Sequence, residues 1–172
     1  MLADSRPGQL TWVKPRRAGA LTLEKSERRE PQMLIGVPKE IKVHEYRVGL
    51  TPAAVRELVD SGHEVVVQTG AAAGIGFADA DYQRVGARIA SGAAEIFANS
   101  DMVVKVKEPV PQEFRLLSAP SALFTFLHLA AFPDLTRELL ARRVTSVAYE
   151  TVTAEGALPI LRPMSEVAGI LS

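Results

Sequence analysis

The fold is most clearly predicted by one stretch, Thr51-Pro-Ala-Ala-Val-Arg-Glu-Leu-Val-Asp-Ser-Gly-His-Glu-Val-Val-Val-Gln68. The threonine suits a helix N-cap, the proline suits the first helical turn, and Gly62 suits the residue that ends a helix. The branched apolar residues between them fall on one helix face. An apolar run follows at once, as in a buried strand. The stretch therefore predicts a helix over 53–62 followed by a strand over 64–68.

The same alternation continues on both sides of this stretch. Apolar runs predict further strands, and helical patterns predict further helices; the strands are 34–38, 102–106, 123–127 and 144–149, and the helices are 79–85, 92–98 and 134–142. Five strands alternating with amphipathic helices indicate a sheet covered on both faces. We predict an α/β fold with a doubly wound, mostly parallel sheet, Rossmann-like but without a dinucleotide fingerprint. Ligands of such sheets bind beyond the carboxyl ends of the strands.

Composition excludes several classes of protein. Of the 172 residues, 47% are hydrophobic and 23% charged, a typical globular mixture, and no apolar run is long enough to span a membrane. The net charge of zero lacks the basic surplus of a nucleic-acid-binding protein. There is no cysteine and the three histidines are scattered, so we expect no disulfide and no metal site. A cytoplasmic location is the simplest expectation.

The first 32 residues differ from the rest of the chain. They carry seven basic and four acidic residues and show neither strand nor helix periodicity. We interpret residues 1–32 as a disordered leader, or as a start codon assigned too early, with Met33 the true start. The alternative is a basic docking tail, although interleaved acids would cancel most of its field.

Three residues follow predicted strands and suit chemistry at the sheet edge. Arg47 follows the first strand, and its guanidinium can bind a carboxylate with two hydrogen bonds. Lys107 follows the third strand and can polarise a carbonyl or hold an anion. His128 follows the fourth and can act as an acid or base. For each the alternative is a structural residue or a solvated one, and we favour that alternative for His44 and His63.

No cofactor motif accompanies these candidates. The glycine-rich turn after the second strand, Gly70-Ala-Ala-Ala-Gly-Ile-Gly76, does not fit G-x-G-x-x-G. No phosphate-binding P-loop and no G-x-S-x-G nucleophile motif occurs either. The spacing alone thus predicts an α/β domain with an anion-binding rim and no cofactor site of its own.

Six ordered segments between Met33 and Gly169 resemble the alanine dehydrogenase family. They are Met33-Leu-Ile-Gly-Val-Pro-Lys-Glu-Ile-Lys42, Glu45-Tyr-Arg-Val-Gly-Leu-Thr-Pro52, Val103-Val-Lys-Val-Lys-Glu-Pro109, Leu123-Phe-Thr-Phe-Leu-His-Leu-Ala-Ala131, Ala148-Tyr-Glu-Thr151 and Pro163-Met-Ser-Glu-Val-Ala-Gly169. The runner-up is the N-terminal domain of the proton-translocating transhydrogenase α subunit, which shares the first two segments. The fourth and fifth segments favour alanine dehydrogenase.

The resemblance implies a specific chemistry. Alanine dehydrogenases interconvert L-alanine with pyruvate and ammonia, using NAD, and form homo-hexamers. By resemblance, Arg47 binds the substrate carboxylate, Lys107 binds and polarises the substrate, and His128 is an acid or base at the same centre. Met164 and Ser165 match a segment that reaches the cofactor.

The resemblance also implies how the chain is organised. Residues 33–162 correspond to the substrate-binding domain and 163–172 to a stub of the interdomain helix, after which the family continues into an NAD-binding domain. Because the sequence ends at Ser172, we expect a truncated chain that binds no NAD and is inactive alone, unless a second chain supplies that domain. The alternative is a non-catalytic truncated or decayed product, or a module that binds small anions. A downstream reading frame for the NAD-binding domain would favour the first interpretation.

Overall fold

Within residues 32–171, which a computed structural model of the protein describes, the chain forms one sheet of six strands. The strands are β1 (Leu34–Val37), β2 (Glu64–Gln68), β3 (Arg88–Ala90), β4 (Met102–Val104), β5 (Ala122–Thr125) and β6 (Ser146–Ala148). The helices are α1 (Pro52–Asp60), α2 (Asp79–Arg84), α3 (Ala93–Asn99), α4 (Pro133–Ala141) and α5 (Leu161–Leu171). The strand order is β3-β2-β1-β4-β5-β6, and every neighbouring pair is parallel. The predicted doubly wound α/β fold is confirmed.

The two ends of the chain bear on the predicted domain boundaries. Of the predicted leader, residues 1–31 lie outside the described part of the chain. Of the segment assigned to an interdomain helix, 163–172, residues 163–171 fall within α5, which begins two residues earlier, at Leu161, and residue 172 lies outside the described part of the chain. The division of the chain at residue 163 stays a prediction. In the described part, no helix is both long and apolar enough to cross a bilayer.

Helix α1 and strand β2 form as their sequence predicts. The Thr51 hydroxyl accepts a hydrogen bond from the Ala54 N–H at 3.4 Å, and Pro52 lies in the first turn. Gly62 then reverses the chain with a φ of 93°, a left-handed conformation that glycine adopts without steric cost. Val55 is fully buried against the sheet.

The five predicted strands are all present, but the prediction of only five is wrong. The sixth strand, β3, lies at the edge of the sheet and pairs with β2 alone. It has three residues, and Arg88 at its start is exposed. A strand of three residues is too short to give an alternating apolar signal, so only its pairing with β2 defines it.

Strands β4 and β5 end two residues earlier than predicted. Val106 and Leu127 are buried and apolar, which extends the hydrophobic pattern beyond the ladder. Their backbone N–H groups donate instead to carboxylates, Val106 to Glu40 at 2.7 Å and Leu127 to Glu150 at 3.2 Å. The two strand ends are therefore held by side chains from other loops.

Both faces of the sheet are buried, as alternate residues of the central strands show. Val65 and Val67 of β2 join one apolar cluster with α1 and α2, whereas Val66 joins a second cluster with α3 and α4. Gly36 of β1 faces α3, where a Cβ would lie 2.5 Å from the Ile96 side chain. The absence of a side chain at residue 36 lets α3 pack closely on the centre of the sheet.

The strand order creates a switch point between β1 and β4. From β1 the chain proceeds outward to β2 and β3, and it then returns to the other side of β1 to form β4, β5 and β6. Gly36 pairs with Val103 across this junction. The loops that leave the carboxyl ends of β1 and β4 diverge there, which opens the crevice where such sheets bind ligands.

Candidate functional site

The loop that follows β1 carries Arg47 to the end of β4. Val48 is buried, and Gly49 lies so close to β4 that a Cβ would stand 2.5 Å from the Val104 carbonyl oxygen. Any larger residue at position 49 would push the loop off the strand. The close approach therefore places Arg47 at the switch point.

Arg47 is held by a carboxylate two residues earlier. Its Nε and Nη2 donate to Oε1 and Oε2 of Glu45 at 2.8 and 2.6 Å, and its backbone N–H donates to Oε1 at 3.0 Å. The Glu45 side chain is 7% exposed and that of Arg47 46%. A buried carboxylate thus fixes a guanidinium that remains accessible. Nη1 donates to the Met164 sulfur at 3.4 Å, which joins the loop to α5.

The charges near Arg47 influence one another. The hydrogen bonds from Arg47, together with the charge of Lys107, hold the pKa of Glu45 below its usual value. The hydrogen bond to Glu45, with a contribution from the charge of Glu40, raises the pKa of Arg47. Arg47 and Lys107 therefore share one electrostatic neighbourhood. Since Glu45 already pairs with Arg47, Lys107 is the cation of this pair without an ion-pair partner within residues 32–171.

Lys107 follows β4 with its backbone fixed on both sides. Its N–H donates to Glu40 Oε1 at 3.3 Å, and its carbonyl accepts from the Thr125 hydroxyl at 3.0 Å. The ammonium makes no ion pair within residues 32–171. Lys105, by contrast, is buried between two carboxylates, with Nζ 3.4 Å from Glu40 and 2.7 Å from Glu113. Of these two lysines, Lys107 is the one able to meet a ligand.

His128 follows β5 in a left-handed conformation, with a φ of 48°. Such a φ is uncommon for a residue other than glycine. The Glu150 carboxylate stabilises the turn, because its Oε1 accepts from the His128 N–H at 2.7 Å. The imidazole is exposed and stacks on Phe126, with ring centroids 5.8 Å apart and ring planes at 28°. The turn thus presents a ring that solvent or a ligand can reach.

The environment of Glu150 favours its charged form. Burial raises the pKa of this carboxyl, but hydrogen bonds from the backbone N–H groups of Glu150, His128 and Leu127 outweigh that effect and hold the pKa below its usual value. The charge of His128 acts in the same direction. Glu150 therefore remains an acceptor for the His128 turn at neutral pH.

The described contacts join some of the predicted site residues and leave others apart. Arg47 contacts Met164 directly, and it shares the neighbourhood of Lys107. His128 lies on the adjoining strand end, since the Phe126 N–H donates to the Val106 carbonyl at 3.3 Å. Ser165 is not drawn in, because its hydroxyl donates to the Leu161 carbonyl of its own helix at 3.3 Å.

The other two histidines each have a hydrogen-bonding partner outside the candidate site. Nδ1 of His63 accepts from the Met33 N–H at 3.3 Å, and Nδ1 of His44 lies 3.1 Å from the Tyr46 hydroxyl. These contacts agree with the structural interpretation that the sequence favoured.

Three carboxylates of the site were missed from the sequence: Glu40, Glu45 and Glu150. All three occur in the segments that resemble alanine dehydrogenase, yet in sequence they look like ordinary charged loop residues. Their partners explain their importance, since Glu40 reaches backbone 66 residues away and Glu150 reaches backbone 22 residues away. The one local signal is the two-residue spacing between Glu45 and Arg47.

The glycine-rich turn after β2 does not fit the pyrophosphate of NAD. In the glycine-rich turn after β2, the Gly70 N–H already donates to Oδ1 of Asp79 at 2.8 Å, and the Thr69 hydroxyl donates to Oδ2 at 2.6 Å. A carboxylate at this point would repel a phosphate instead of leaving N–H groups for it. The same part of the chain contains no group of three histidine, aspartate or glutamate side chains placed to hold a metal ion.

Fold and candidate site together describe the class of protein: an open, doubly wound α/β domain with Arg47 and Lys107 at the switch point between β1 and β4 and His128 after the adjoining strand β5. Residues 36–168 match the family described as alanine dehydrogenase/PNT, N-terminal domain. The chain belongs to this family, as the six sequence segments predicted.

Curated relatives give the degree of similarity. The chain is 54% identical over 138 residues to the alanine dehydrogenase of Halomonas elongata, covering 80% of this chain and 37% of the relative. It is 52% identical over 141 residues to that of Mycolicibacterium smegmatis, covering 81% and 38%. It is 50% identical over 137 residues to that of Bacillus subtilis, covering 80% and 36%. The chain thus spans less than two fifths of the length of these relatives.

Solved structures of the same two families match the fold of this chain. An L-alanine dehydrogenase structure matches with a TM-score of 0.78 and 51% identity, over 81% of this chain and 38% of that one. A transhydrogenase from Sinorhizobium meliloti matches with a TM-score of 0.64 and 25% identity, over 70% of this chain and 36% of that one. Both families that the sequence resembles are therefore found, and alanine dehydrogenase matches more closely.

Proposed function

We propose that this chain supplies the substrate-binding part of an NAD-dependent alanine dehydrogenase, which converts L-alanine, NAD and water into pyruvate, ammonia and NADH. The observation that carries the proposal is the pair of accessible cations, Arg47 and Lys107, fixed at the switch point of a domain about half identical to alanine dehydrogenases.

Arg47 is the residue proposed to capture the carboxylate. Glu45 occupies Nε and one N–H of Nη2, which leaves Nη1 and the second N–H of Nη2 for a ligand. The present partner of Nη1 is the Met164 thioether, a weak acceptor. A carboxylate forms stronger, charge-assisted hydrogen bonds and would replace it. Pyruvate or alanine would thus bind on the Met164 side of the guanidinium.

Lys107 and His128 are proposed to act at the carbon that reacts. The ammonium of Lys107 would donate to the carbonyl oxygen of pyruvate and stabilise the charge that develops there. The exposed imidazole of His128 would give or take the proton that the same oxygen or the amine requires. Glu150 supports this role indirectly, because it holds the strained turn that presents the ring.

In this proposal the described residues hold the substrate, and a separate nucleotide-binding domain holds NAD, since Asp79 already occupies the N–H of the glycine-rich turn after β2. That domain would lie on the same polypeptide or on a second chain. The contact of Met164 with Arg47 keeps it a candidate to face the cofactor, together with Ser165. Assembly into a homo-hexamer and a cytoplasmic location are further parts of the proposal.

A second candidate function is a non-catalytic module that binds small anions. It is favoured by the Asp79 carboxylate, which occupies the only glycine-rich turn after a strand within residues 32–171. A transhydrogenase role is a third candidate, favoured by the match to the Sinorhizobium meliloti structure. The twofold higher identity to alanine dehydrogenases favours the first proposal.

Calorimetric titration of the full chain with pyruvate tests the proposal. We expect a dissociation constant on the order of millimolar, since a few charge-assisted hydrogen bonds in an open site supply little more. Methyl pyruvate, which keeps the carbonyl but lacks the charge, is the control and should not bind. Failure to bind pyruvate would contradict the proposal. Mixing the chain with the NAD-binding domain of a relative then separates enzyme from module, since only the former would form NADH from alanine.

A further inference from the structure

We propose that Glu40 is a positioning residue for Lys107. It accepts hydrogen bonds from the backbone just after β4 and so fixes the position of the Lys107 Cα; we call these contacts the clamp. The inference rests on the proposed function of Lys107 as a substrate-binding residue. It concerns a group that touches neither substrate nor cofactor in the proposed chemistry.

The clamp is visible in the contacts of one carboxylate oxygen. Oε1 of Glu40 accepts from the Val106 N–H at 2.7 Å and from the Lys107 N–H at 3.3 Å. Strand β4 ends at Val104, so neither N–H belongs to the regular sheet. On the other side, the buried Thr125 hydroxyl donates to the Lys107 carbonyl at 3.0 Å. The peptide groups on both sides of the Lys107 Cα are thereby fixed.

The backbone matters here because, within residues 32–171, no ion pair fixes the side chain of Lys107. Within the described residues the Lys107 ammonium makes no ion pair, so its position depends on where the backbone directs it. Lysine is flexible, and a displacement of about 1 Å at a reacting centre is costly. A fixed Cα limits the region that the ammonium can reach, which is what a substrate-binding lysine requires.

Glu40 is itself fixed by a buried cation. Its second oxygen, Oε2, lies 3.4 Å from Nζ of Lys105, and Lys105 is 1% exposed. Lys105 also contacts Glu113 at 2.7 Å, so two carboxylates share one ammonium. Buried ion pairs of this kind contribute little net stability compared with apolar residues. A role in fixing the geometry of the strand end accounts for a cluster that stability alone does not require.

Glu113 provides a matched control. It is buried like Glu40, and it contacts the same ammonium. Its other oxygen accepts from the Val110 N–H at 3.0 Å, three residues beyond Lys107. Removing either carboxylate takes one negative charge from beside Lys105, but only removal of Glu40 takes away the acceptor of the Val106 and Lys107 N–H groups.

The experiment compares Glu40→Leu, Glu40→Gln, Glu113→Leu and Glu113→Gln in the full chain. Amide hydrogen exchange of Val106 and Lys107 reports the clamp directly. In Glu40→Leu we expect these two amides to exchange about tenfold faster or more, because a hydrogen bond to a charged group is lost. In Glu40→Gln, which keeps a weaker acceptor, we expect an increase of roughly threefold. Both Glu113 variants should leave these amides within about twofold of the original rate.

Pyruvate affinity provides the second readout. We expect Glu40→Leu to weaken it by about tenfold and Glu113→Leu by less than about threefold. Equal effects of the two Leu variants on exchange and affinity would overturn the inference, as would unchanged amides in the Glu40 variants. If Glu40→Leu does not fold, the two Gln variants decide in the same way. If the unaltered chain does not bind pyruvate, the proposed function fails, whereas the exchange rates still test the clamp.

Discussion

At the scale of single residues, the guanidinium of Arg47 divides its donors between two partners. Glu45 fixes Nε and Nη2, and the proposed carboxylate site lies on the side of Nη1. A lysine at position 47 would keep the charge but could not bind Glu45 and a ligand with this geometry. We expect Arg47→Lys to weaken pyruvate binding by about tenfold. Calorimetry measures the change, with the exposed Arg56→Lys of α1 as control, and equal affinity in both variants would refute the assignment.

The lowered pKa of Glu150 predicts a pH dependence of stability. A carboxyl whose pKa is lower in the folded state stabilises the fold above its unfolded value, here 4.5, and loses this contribution as the pH falls through the folded value. We therefore expect Glu150→Gln to be less stable than the unaltered chain near neutral pH, and this difference to shrink as the pH falls below 4.5 and through the lowered pKa of the folded state.

Urea unfolding at several pH values measures that difference in free energy. The exposed Glu57→Gln of α1 serves as control and should show almost no difference at any pH. A difference for Glu150→Gln that stays constant down to acid pH would show that the carboxylate charge is not what holds the His128 turn.

The sequence pointed to the candidate cations of the site but not to the carboxylates that contact them or their backbone. Arg47, Lys107 and His128 stand out because each follows a predicted strand, where parallel sheets bind ligands. Glu40 and Glu150 act on backbone groups that are distant in sequence, and no local pattern records such contacts. Positions of donors and acceptors of this kind become evident only once the chain is folded.

At the scale of elements, the loop between β1 and α1 depends on its contact with β4. A Cβ at Gly49 would lie 2.5 Å from the Val104 carbonyl, a backbone atom that cannot rotate away. We expect Gly49→Ala to destabilise the fold by about 1–3 kcal/mol, the usual cost of overpacking, and to weaken pyruvate binding as the loop shifts. Urea unfolding and calorimetry measure both effects.

Gly92→Ala is the control for that substitution. No atom lies within 4 Å of a Cβ built at Gly92, whose φ of −164° suits any residue. We expect a change of less than about 1 kcal/mol there. Equal destabilisation by both substitutions would mean that the contact of Gly49 with β4 does not set the position of the loop.

The elements themselves were predictable where the sequence is periodic. Helix α1 has a cap, a proline and a regular apolar face, and it was predicted within two residues at its C-terminal end. Strand β3 has three residues and an exposed arginine, so it was missed. The sequence predicts ends for β4 and β5 that lie two residues too late, because Val106 and Leu127 are still buried after the backbone pairing has ended. Burial and strand pairing coincide in the middle of a strand, but at the carboxyl ends of β4 and β5 burial continues after the pairing has stopped.

At the scale of the whole molecule, the chain should bind substrate without binding the dinucleotide. The Gly70 N–H that a phosphate would need is already paired with Asp79, and the sequence has no G-x-G-x-x-G turn. We expect no saturable binding of NADH to the 172-residue chain up to about millimolar concentration. Fluorescence titration of NADH measures it, with a full-length alanine dehydrogenase as the positive control. A micromolar dissociation constant would contradict the prediction.

The central claim is that Arg47, Lys107 and His128 form one anion-binding site at the switch point of the sheet. The most direct measurement is chemical-shift mapping of the full, isotope-labelled chain during titration with pyruvate. The account predicts that resonances of these three residues move together, saturating on the order of millimolar pyruvate. Movement confined to residues around His44 and His63, with the other three unchanged, would contradict it.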